Sequence, residues 1–214
     1  MGIIFTLYKS KGDLNDPDNC RGADCKDILE KDSTATSGIY EIKPWKTREK
    51  IKVFCDMETS GGGWTVIHNR FDGSVDFYRN FKDYENGFGD IAGEFWLGLK
   101  YIQEISQKSS TQLRLTTTAN NGDIAEDEFE EFRLENGTEY RLSYAAIWGS
   151  VCLPNLSGIA FTTKDKDMDY STGNCAVELN SAWWYLKCTS VDCNLNDNEK
   201  KYGMVAIENG TRYY

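Results

Sequence analysis

The sequence predicts an α+β protein with a central mixed or antiparallel sheet, short helices and a loop-rich final region. Apolar and polar residues alternate along residues 51–54 (IKVF), which is typical of a strand with one buried face. Helical spacing instead separates Leu99, Ile102 and Ile105. Few periodic segments occur in residues 151–214, so we expect loops there, held by cross-links and aromatic packing.

Each further element is predicted from its local pattern and from the turn residues beside it. Residues 1–24 are interpreted as a polar lead-in, because they contain many turn residues. The glycine run at 61–63 is interpreted as a turn. The predicted helices lie near 24–32, 76–85 and 98–108, and the predicted strands lie at 38–42, 50–57, 64–67, 111–118, 128–134 and 139–145.

Length and charge limit the possible classes of function. A chain of 214 residues, of which 40% are hydrophobic, can bury the core of one domain. The net charge of −10 and the absence of Lys/Arg runs argue against a nucleic-acid partner, since phosphate binding needs basic clusters. The acidic residues at 123–135 are interpreted as a solvated face. No apolar stretch of about 18 residues occurs, so no membrane span is predicted.

A candidate metal site lies in the loop that precedes Cys175. Asp167, Asp169, Ser171 and Gly173 stand there at alternate positions. Alternating oxygen donors on a short loop suit a hard cation such as Ca²⁺, which binds carboxylate and carbonyl oxygens. A disulfide at Cys175 would hold the carbonyl groups of the loop in place. The alternative interpretation is a solvated acidic turn.

Several long motifs occur in a characteristic order along the chain. They are CDMET at 55–59, GGGWTVI at 61–67, FDGSVDFYRNFKDYENGFGD at 71–90, EFWLGLK at 94–100 and FTTKDKD at 161–167. Together they resemble the fibrinogen-like domain family, in particular its ficolin- and tachylectin-like lectins. The resemblance implies one fibrinogen-like domain over residues 25–214. Its expected parts are a small N-terminal lobe at 25–67, a central sheet lobe at 68–150 and a calcium- and ligand-binding lobe at 151–214.

The resemblance also implies roles for the loop residues. Asp167 and Asp169 are expected to bind Ca²⁺ through their carboxylates, and Ser171 and Gly173 through backbone carbonyl oxygens. Members of the family usually continue past a segment like NGTRYY at 209–214 with a basic closing strand. We therefore expect the central sheet to lack that strand or to receive it from outside this sequence.

Seven cysteines without metal-type spacing, in a chain with one histidine, predict an oxidising compartment and secretion. Sequons at Asn136, Asn155 and Asn209 support this expectation. The resemblance implies the disulfides Cys25–Cys55 and Cys175–Cys188. A third disulfide, Cys152–Cys193, is expected from chain order alone. Cys20 is left over and suits an intermolecular bridge or a bond to an upstream segment outside this sequence. Because the family usually terminates longer, oligomerising chains, we expect an oligomer in the full-length protein.

The resemblance further implies a small ligand pocket beside Cys188. A cis peptide bond between Lys187 and Cys188 is expected to aim backbone N–H groups into this pocket. The expected ligand-binding residues are Leu179, Trp184, Lys187, Cys188, Thr189 and Tyr202. The acetyl-binding lectins usually carry His at position 189 and often Tyr at position 179, so this pocket is expected to be apolar, altered or inactive. For Trp184 the alternative interpretation is aromatic core.

An enzyme is not expected. A Ser-His-Asp or Cys-His group would have to use His68, the single histidine, and no phosphate-binding glycine loop is present. Two functions remain. One is a secreted lectin that binds carbohydrate or acetylated surface groups. The other is a protein-binding module of fibrinogen, angiopoietin or tenascin type that engages a receptor or peptide. The altered pocket favours the protein-binding module. The residues of the expected calcium loop resemble those of the lectins, and we therefore favour the lectin from the sequence.

Overall fold

The computed structural model describes residues 2–9, 22–107, 110–118, 121–145, 156–188, 206–208 and 211–213. In these ranges the helices are α1 (Cys25–Lys31), α2 (Phe81–Asn86), α3 (Leu99–Gln107) and α4 (Cys175–Glu178), with a short 3-10 turn at Thr59–Gly61. The strands are β1 (Gly2–Lys9), β2 (Gly38–Ile42), β3 (Ile51–Asp56), β4 (Trp64–Arg70), β5 (Phe88–Gly89), β6 (Phe95–Trp96), β7 (Thr111–Thr118), β8 (Ile124–Phe129), β9 (Arg133–Leu134), β10 (Leu142–Ser143), β11 (Ala206–Glu208) and β12 (Thr211–Tyr213).

The main sheet is antiparallel and runs in the order β2-β3-β4-β1-β7-β8, with β6 pairing to β4 and β5 pairing to β6. Helix α3 carries one buried apolar stripe, which includes Leu99, Ile102 and Ile105. The predicted α+β class is therefore confirmed. Across the described ranges, no helix is both long enough and apolar enough to cross a membrane.

Strand β1 corrects the interpretation of residues 1–24 as a polar lead-in. It lies in the middle of the sheet, paired with β7 over its full length, from Gly2 opposite Thr118 onward. Its alternate residues Ile3, Phe5 and Leu7 are at most 3% exposed. Successive side chains of a strand point to opposite faces, so this alternation places three apolar groups in the core. The turn-rich residues that follow obscured this short pattern.

The expected boundary between the N-terminal lobe and the central sheet lobe does not separate two structural units. It falls between Ile67 and His68, inside β4. Strand β4 pairs with β3 on one edge and with β1 on the other, so the two expected lobes share one continuous sheet. Two predicted elements are shifted. Helix α2 begins only at Phe81, and the strand expected at 128–134 is divided between β8 and β9 by a turn with a positive φ of 54° at Glu131.

An aromatic cluster joins the sheet to the region that carries the candidate site. The ring of Trp96 on β6 lies 5.9 Å from Phe161 and 6.2 Å from Trp184, between ring centroids. His68 is fully buried and packs edge-on against Phe5 and Trp96. The core is therefore continuous from the sheet to the last described lobe. The histidine has a packing role within it and does not reach the surface.

Candidate functional site

A disulfide closes the base of the candidate site. The Cα atoms of Cys175 and Cys188 lie 4.9 Å apart across this bond, which is the pairing that the resemblance implies. Cys175 opens α4, whose first turn is capped by the side chain of Asn174 accepting the N–H of Val177. The side-chain amide of Asn174 also donates to the carbonyl oxygen of Thr163 at 3.0 Å. These bonds fasten the end of the loop to the scaffold.

The structure also contains the other pairing that the resemblance implies. Cys25 and Cys55 are joined with their Cα atoms 5.5 Å apart, which links the start of α1 to β3. The expected bond between Cys152 and Cys193 lies outside the described residues.

The two loop carboxylates lie next to each other. Asp167 is exposed and accepts the backbone N–H of Asp169 at 3.3 Å. Asp169 is half-buried and accepts the N–H groups of Ser171 at 2.8 Å and of Cys175 at 2.9 Å, one on each oxygen. The slight burial of its carboxyl group raises the pKa of Asp167, and the negative charge of Asp169 adds to this against the opposing effect of the backbone hydrogen bond. The loop thus holds two like charges in a defined geometry.

The loop is tied to the segment that follows the aromatic pair. The N–H of Met168 donates to the hydroxyl of Thr162 at 3.0 Å. Thr162 and Trp183 exchange backbone hydrogen bonds as an isolated bridge, and the N–H of Tyr170 donates to the carbonyl of Leu186 at 3.2 Å. Hydrogen bonds therefore hold the loop to the segments that contain Thr162 and Leu186.

The loop offers carboxylate and carbonyl oxygens, the types of ligand that a hard cation binds. The donors would be the carboxylates of Asp167 and Asp169 and the carbonyl groups of Ser171 and Gly173. At Gly173 an added Cβ would meet a carboxylate oxygen of Glu178, so a further acid lies against the loop. Within the described residues, however, no group of three or more His, Cys, Asp or Glu side chains could together hold a metal ion. Any metal here would depend on carbonyl and water oxygens.

Two of the expected ligand-binding residues pack against the core. Trp184 is 4% exposed, and its indole N–H donates to the carbonyl oxygen of Tyr140 at 2.7 Å. Leu179 is half-buried and packs against the core cluster. For Trp184 the alternative interpretation as core therefore holds, because its ring and its only polar group are both used inside the fold.

The expected backbone geometry at the pocket is corrected by the structure. Lys187 is exposed and Cys188 is half-buried, and the peptide bond between them is trans, like every described peptide bond. The trans form is lower in energy by about 2.5–4 kcal/mol for a bond that does not precede proline. The other two expected pocket residues, Thr189 and Tyr202, lie outside the described residues.

Exposed apolar side chains near the disulfide were missed by sequence reasoning. Tyr170 is 61% exposed, Val177 47% and Leu186 36%. They lie on the loop, on α4 and on the segment hydrogen-bonded to the loop. Large apolar groups exposed together often indicate an interaction surface. Tyr170 stands between Asp169 and Ser171, which was an available signal, whereas Leu186 follows an aromatic run that reads as core.

Comparison with known proteins identifies the family. Residues 21–214 match the family described as fibrinogen beta and gamma chains, C-terminal globular domain. Angiopoietin-related protein 2 of Mus musculus is 41% identical over 168 residues, which cover 77% of this chain and 34% of that protein. This chain therefore spans about a third of that relative's length.

Solved structures agree with this match. The fibrinogen-like globe domain of human ANGPTL2 superposes with a TM-score of 0.77 at 37% identity, covering 90% of this chain and 86% of that one. A lamprey fibrin D-dimer in complex with the peptide ligand Gly-His-Arg-Pro-amide has a TM-score of 0.69 at 31% identity, covering 83% of this chain and 62% of that one. The chain belongs to the fibrinogen C-terminal globular domain family, as the motifs predicted.

Proposed function

We propose that this chain is an extracellular recognition domain that calcium stabilises and that binds a protein or peptide partner. The supporting observation is the loop from Asp167 to Gly173, which presents oxygen donors beside exposed apolar side chains and a disulfide. Secretion belongs to the proposal, because disulfides persist in oxidising compartments. Since the chain spans about a third of its mouse relative, we propose that it acts as one module of a longer, oligomerising protein.

Calcium would bind through the carboxylates of Asp167 and Asp169 and the carbonyl oxygens of Ser171 and Gly173. Water would supply the remaining ligands, since calcium takes about six to eight oxygens. The adjacent carboxylates support this assignment, because a cation would offset both the burial and the negative charge of Asp169 that raise the pKa of Asp167. Bound calcium would stiffen the loop and so orient the exposed ring of Tyr170.

A protein or peptide partner is favoured by the surface beside the loop. Tyr170 and Leu186 are exposed and joined through their backbones, so an apolar partner side chain could pack against both. Trp184, which a sugar-binding pocket could have used, is already packed and hydrogen-bonded. The related lamprey fibrin fragment was solved with a peptide ligand, which supports the same kind of partner for this chain.

A lectin that binds carbohydrate or acetylated groups is the second candidate. The spacing of Asp167, Asp169, Ser171 and Gly173 before Cys175 resembles the loop of the ficolin- and tachylectin-like lectins. Two replacements argue against a lectin. Thr189 lacks the ring of the usual histidine, and Leu179 lacks the hydroxyl group of the frequent tyrosine.

Adding calcium without any partner tests whether calcium stabilises the fold. The melting temperature of the unsubstituted chain is expected to rise when CaCl₂ is added to chelator-treated protein, by mass action on the folded state. The variants Asp167→Asn and Asp169→Asn should lose this increase. Asp123→Asn, which changes an exposed acid elsewhere, should retain it. A melting temperature that calcium leaves unchanged in the unsubstituted chain would overturn the metal assignment.

Two labelled probes test whether the domain binds a peptide partner. Gly-His-Arg-Pro-amide represents a peptide partner, and N-acetylglucosamine represents an acetylated sugar. We expect binding of the peptide in the presence of calcium, weakened roughly tenfold by Tyr170→Ala because an exposed aromatic anchor is lost. Calcium stabilisation should be unchanged in that variant. Binding of the sugar without the peptide would overturn the protein-binding proposal in favour of the lectin.

A further inference from the structure

Strand β1 fills the centre of the sheet although it lies outside the family match. The match begins at residue 21, and β1 ends at Lys9. Both strands that flank it, β4 and β7, belong to the matched residues. The matched part of the chain therefore contains a slot one strand wide between two of its own strands. We call this the β4–β7 slot.

Strand β1 is closely complementary to this slot. On the β7 side the register is continuous over eight residues, and on the β4 side it contains one irregularity between Phe5 and Thr6. The ring of Phe5 lies 5.6 Å from that of Trp183, between centroids. A cavity lined by Phe5 and Trp183 has a volume of about 10 Å³, roughly the space of one water molecule. A vacant slot would expose both strand edges and the core below them.

The connection between β1 and α1 is long for the gap that it closes. The amino group of Lys9 lies 3.2 Å from a carboxylate oxygen of Asp27 and 4.0 Å from one of Asp24. The end of β1 and the start of α1 are thus within the reach of one lysine side chain. Residues 10–24 join them, and an extended chain of that length could span roughly 50 Å. Chain length therefore does not force β1 into the slot of its own molecule.

We propose that residues 2–9 form an exchangeable strand, and that the β4–β7 slot also accepts this strand from a second copy of the chain. The backbone pairs and core contacts would be the same in both arrangements. The balance between them would then depend on protein concentration against the effective concentration of the tethered strand. Reciprocal exchange would yield a closed dimer at high concentration and leave the monomer at low concentration.

Mixed cysteine variants of the full chain test this exchange. Ile4, which is 39% exposed, lies opposite Thr116 of β7. Chains carrying Ile4→Cys or Thr116→Cys alone, one of them isotope-labelled, would be mixed, partly unfolded without reductant, refolded at high concentration and oxidised. We expect an interchain link between positions 4 and 116, roughly tenfold more abundant than at low concentration.

Two controls calibrate this link. A chain with both substitutions reports whether the two positions can form a disulfide within one molecule. Ile39→Cys on the edge strand β2, which is 46% exposed, mixed with Thr116→Cys reports random collision. A link no more abundant than this background, alongside the intrachain link, would overturn the proposal.

A second measurement needs no substitution. The unsubstituted chain, refolded at increasing concentrations, should yield by size-exclusion chromatography a dimer whose fraction increases with concentration and persists after dilution. A monomer at every concentration would overturn the proposal, as would a dimer formed without the link between positions 4 and 116.

Discussion

Trp184 donates its indole N–H to the main-chain carbonyl of Tyr140, over 2.7 Å, inside the core. The bond joins the lobe that carries the candidate site to the chain that precedes it. The ring of Trp184 also lies 4.7 Å from that of Phe161, between centroids. A residue expected to form a pocket wall therefore serves mainly to attach the site to the sheet.

The Trp184→Phe variant should be less stable by about 2–3 kcal/mol. It leaves the carbonyl of Tyr140 without its donor and opens space in a packed core. Urea unfolding in calcium-free buffer measures this change. Tyr170→Phe, at an exposed position, is the control and should change stability by less than about 0.5 kcal/mol. Equal stabilities for the two variants would contradict the structural role of Trp184.

Glu94 holds the loop after β4, and its removal should destabilise the fold. One carboxylate oxygen accepts the N–H groups of Phe71 and Asp72 at 2.6 Å and of Gly73 at 2.8 Å, and the other accepts that of Val75 at 3.0 Å. Burial alone would raise the pKa of Glu94, but these bonds outweigh it, so the pKa lies below its ordinary value. Glu94→Gln should cost about 2–4 kcal/mol at pH 7, because an amide offers one acceptor.

The pH dependence follows from the direction of this shift. A lowered folded-state pKa means that the ionised form stabilises the fold above the ordinary pKa of Glu94 and that this stability is lost as the pH falls through the lower folded value. The difference between Glu94→Gln and the unsubstituted chain should therefore shrink toward pH 3. Glu58→Gln, at an exposed site, is the control. A difference that stays constant with pH would contradict the assignment.

Asp24 should give the opposite pH dependence. Its carboxylate caps α1 by accepting the N–H of Asp27 at 2.9 Å. Burial, followed by the negative charge of Asp27, raises the pKa of Asp24 to about 6. The folded chain then keeps a proton that the unfolded chain releases above about pH 4. The free energy of unfolding should therefore fall as the pH rises from about 4 to about 6.

The variant Asp24→Asn tests this slope directly. Asparagine keeps the capping oxygen but cannot ionise, so the fall in stability over this range should shrink by about 2 kcal/mol. Denaturant unfolding at a series of pH values provides the measurement. Asp83→Asn, in the first turn of α2, is the matched control and should leave the slope in place. An unaltered slope in Asp24→Asn would contradict the assignment.

Asn136 should carry an N-linked glycan when the chain is made in a secretory eukaryotic cell. It lies on an exposed turn, and Thr138 completes the sequon at the surface. The amino group of Lys166 donates to the carbonyl of Thr138 at 2.8 Å, so the glycan would project close to the loop from Asp167 to Gly173. Endoglycosidase treatment and peptide mass spectrometry should detect the glycan in the unsubstituted chain.

Matched substitutions at Thr138 sharpen this test. Thr138→Ser should keep the glycan at Asn136, whereas Thr138→Ala should remove it, because the acceptor triplet needs a hydroxyl at that position. A secreted chain whose Asn136 is unmodified would contradict the prediction of surface access.

Local patterns explain which elements could be predicted. Strand β3, strand β7 and helix α3 were found because their apolar spacing is confined to a few neighbouring residues. Strand β1 was missed, because its partners Trp64–Arg70 and Thr111–Thr118 lie far along the chain, and nothing near residues 2–9 indicates that a slot exists for them.

The sequence by itself determined the family, the α+β class and the order of oxygen donors from Asp167 to Gly173, since each depends on residue identity and short spacing. The tertiary structure alone decided that Gly2–Lys9 completes the sheet, that Trp184 is buried and that Tyr170 is exposed. Burial and strand pairing depend on residues that are distant along the chain. Contacts of this kind are formed by folding, and a short local pattern such as that of Ile3, Phe5 and Leu7 does not reveal which strands they join.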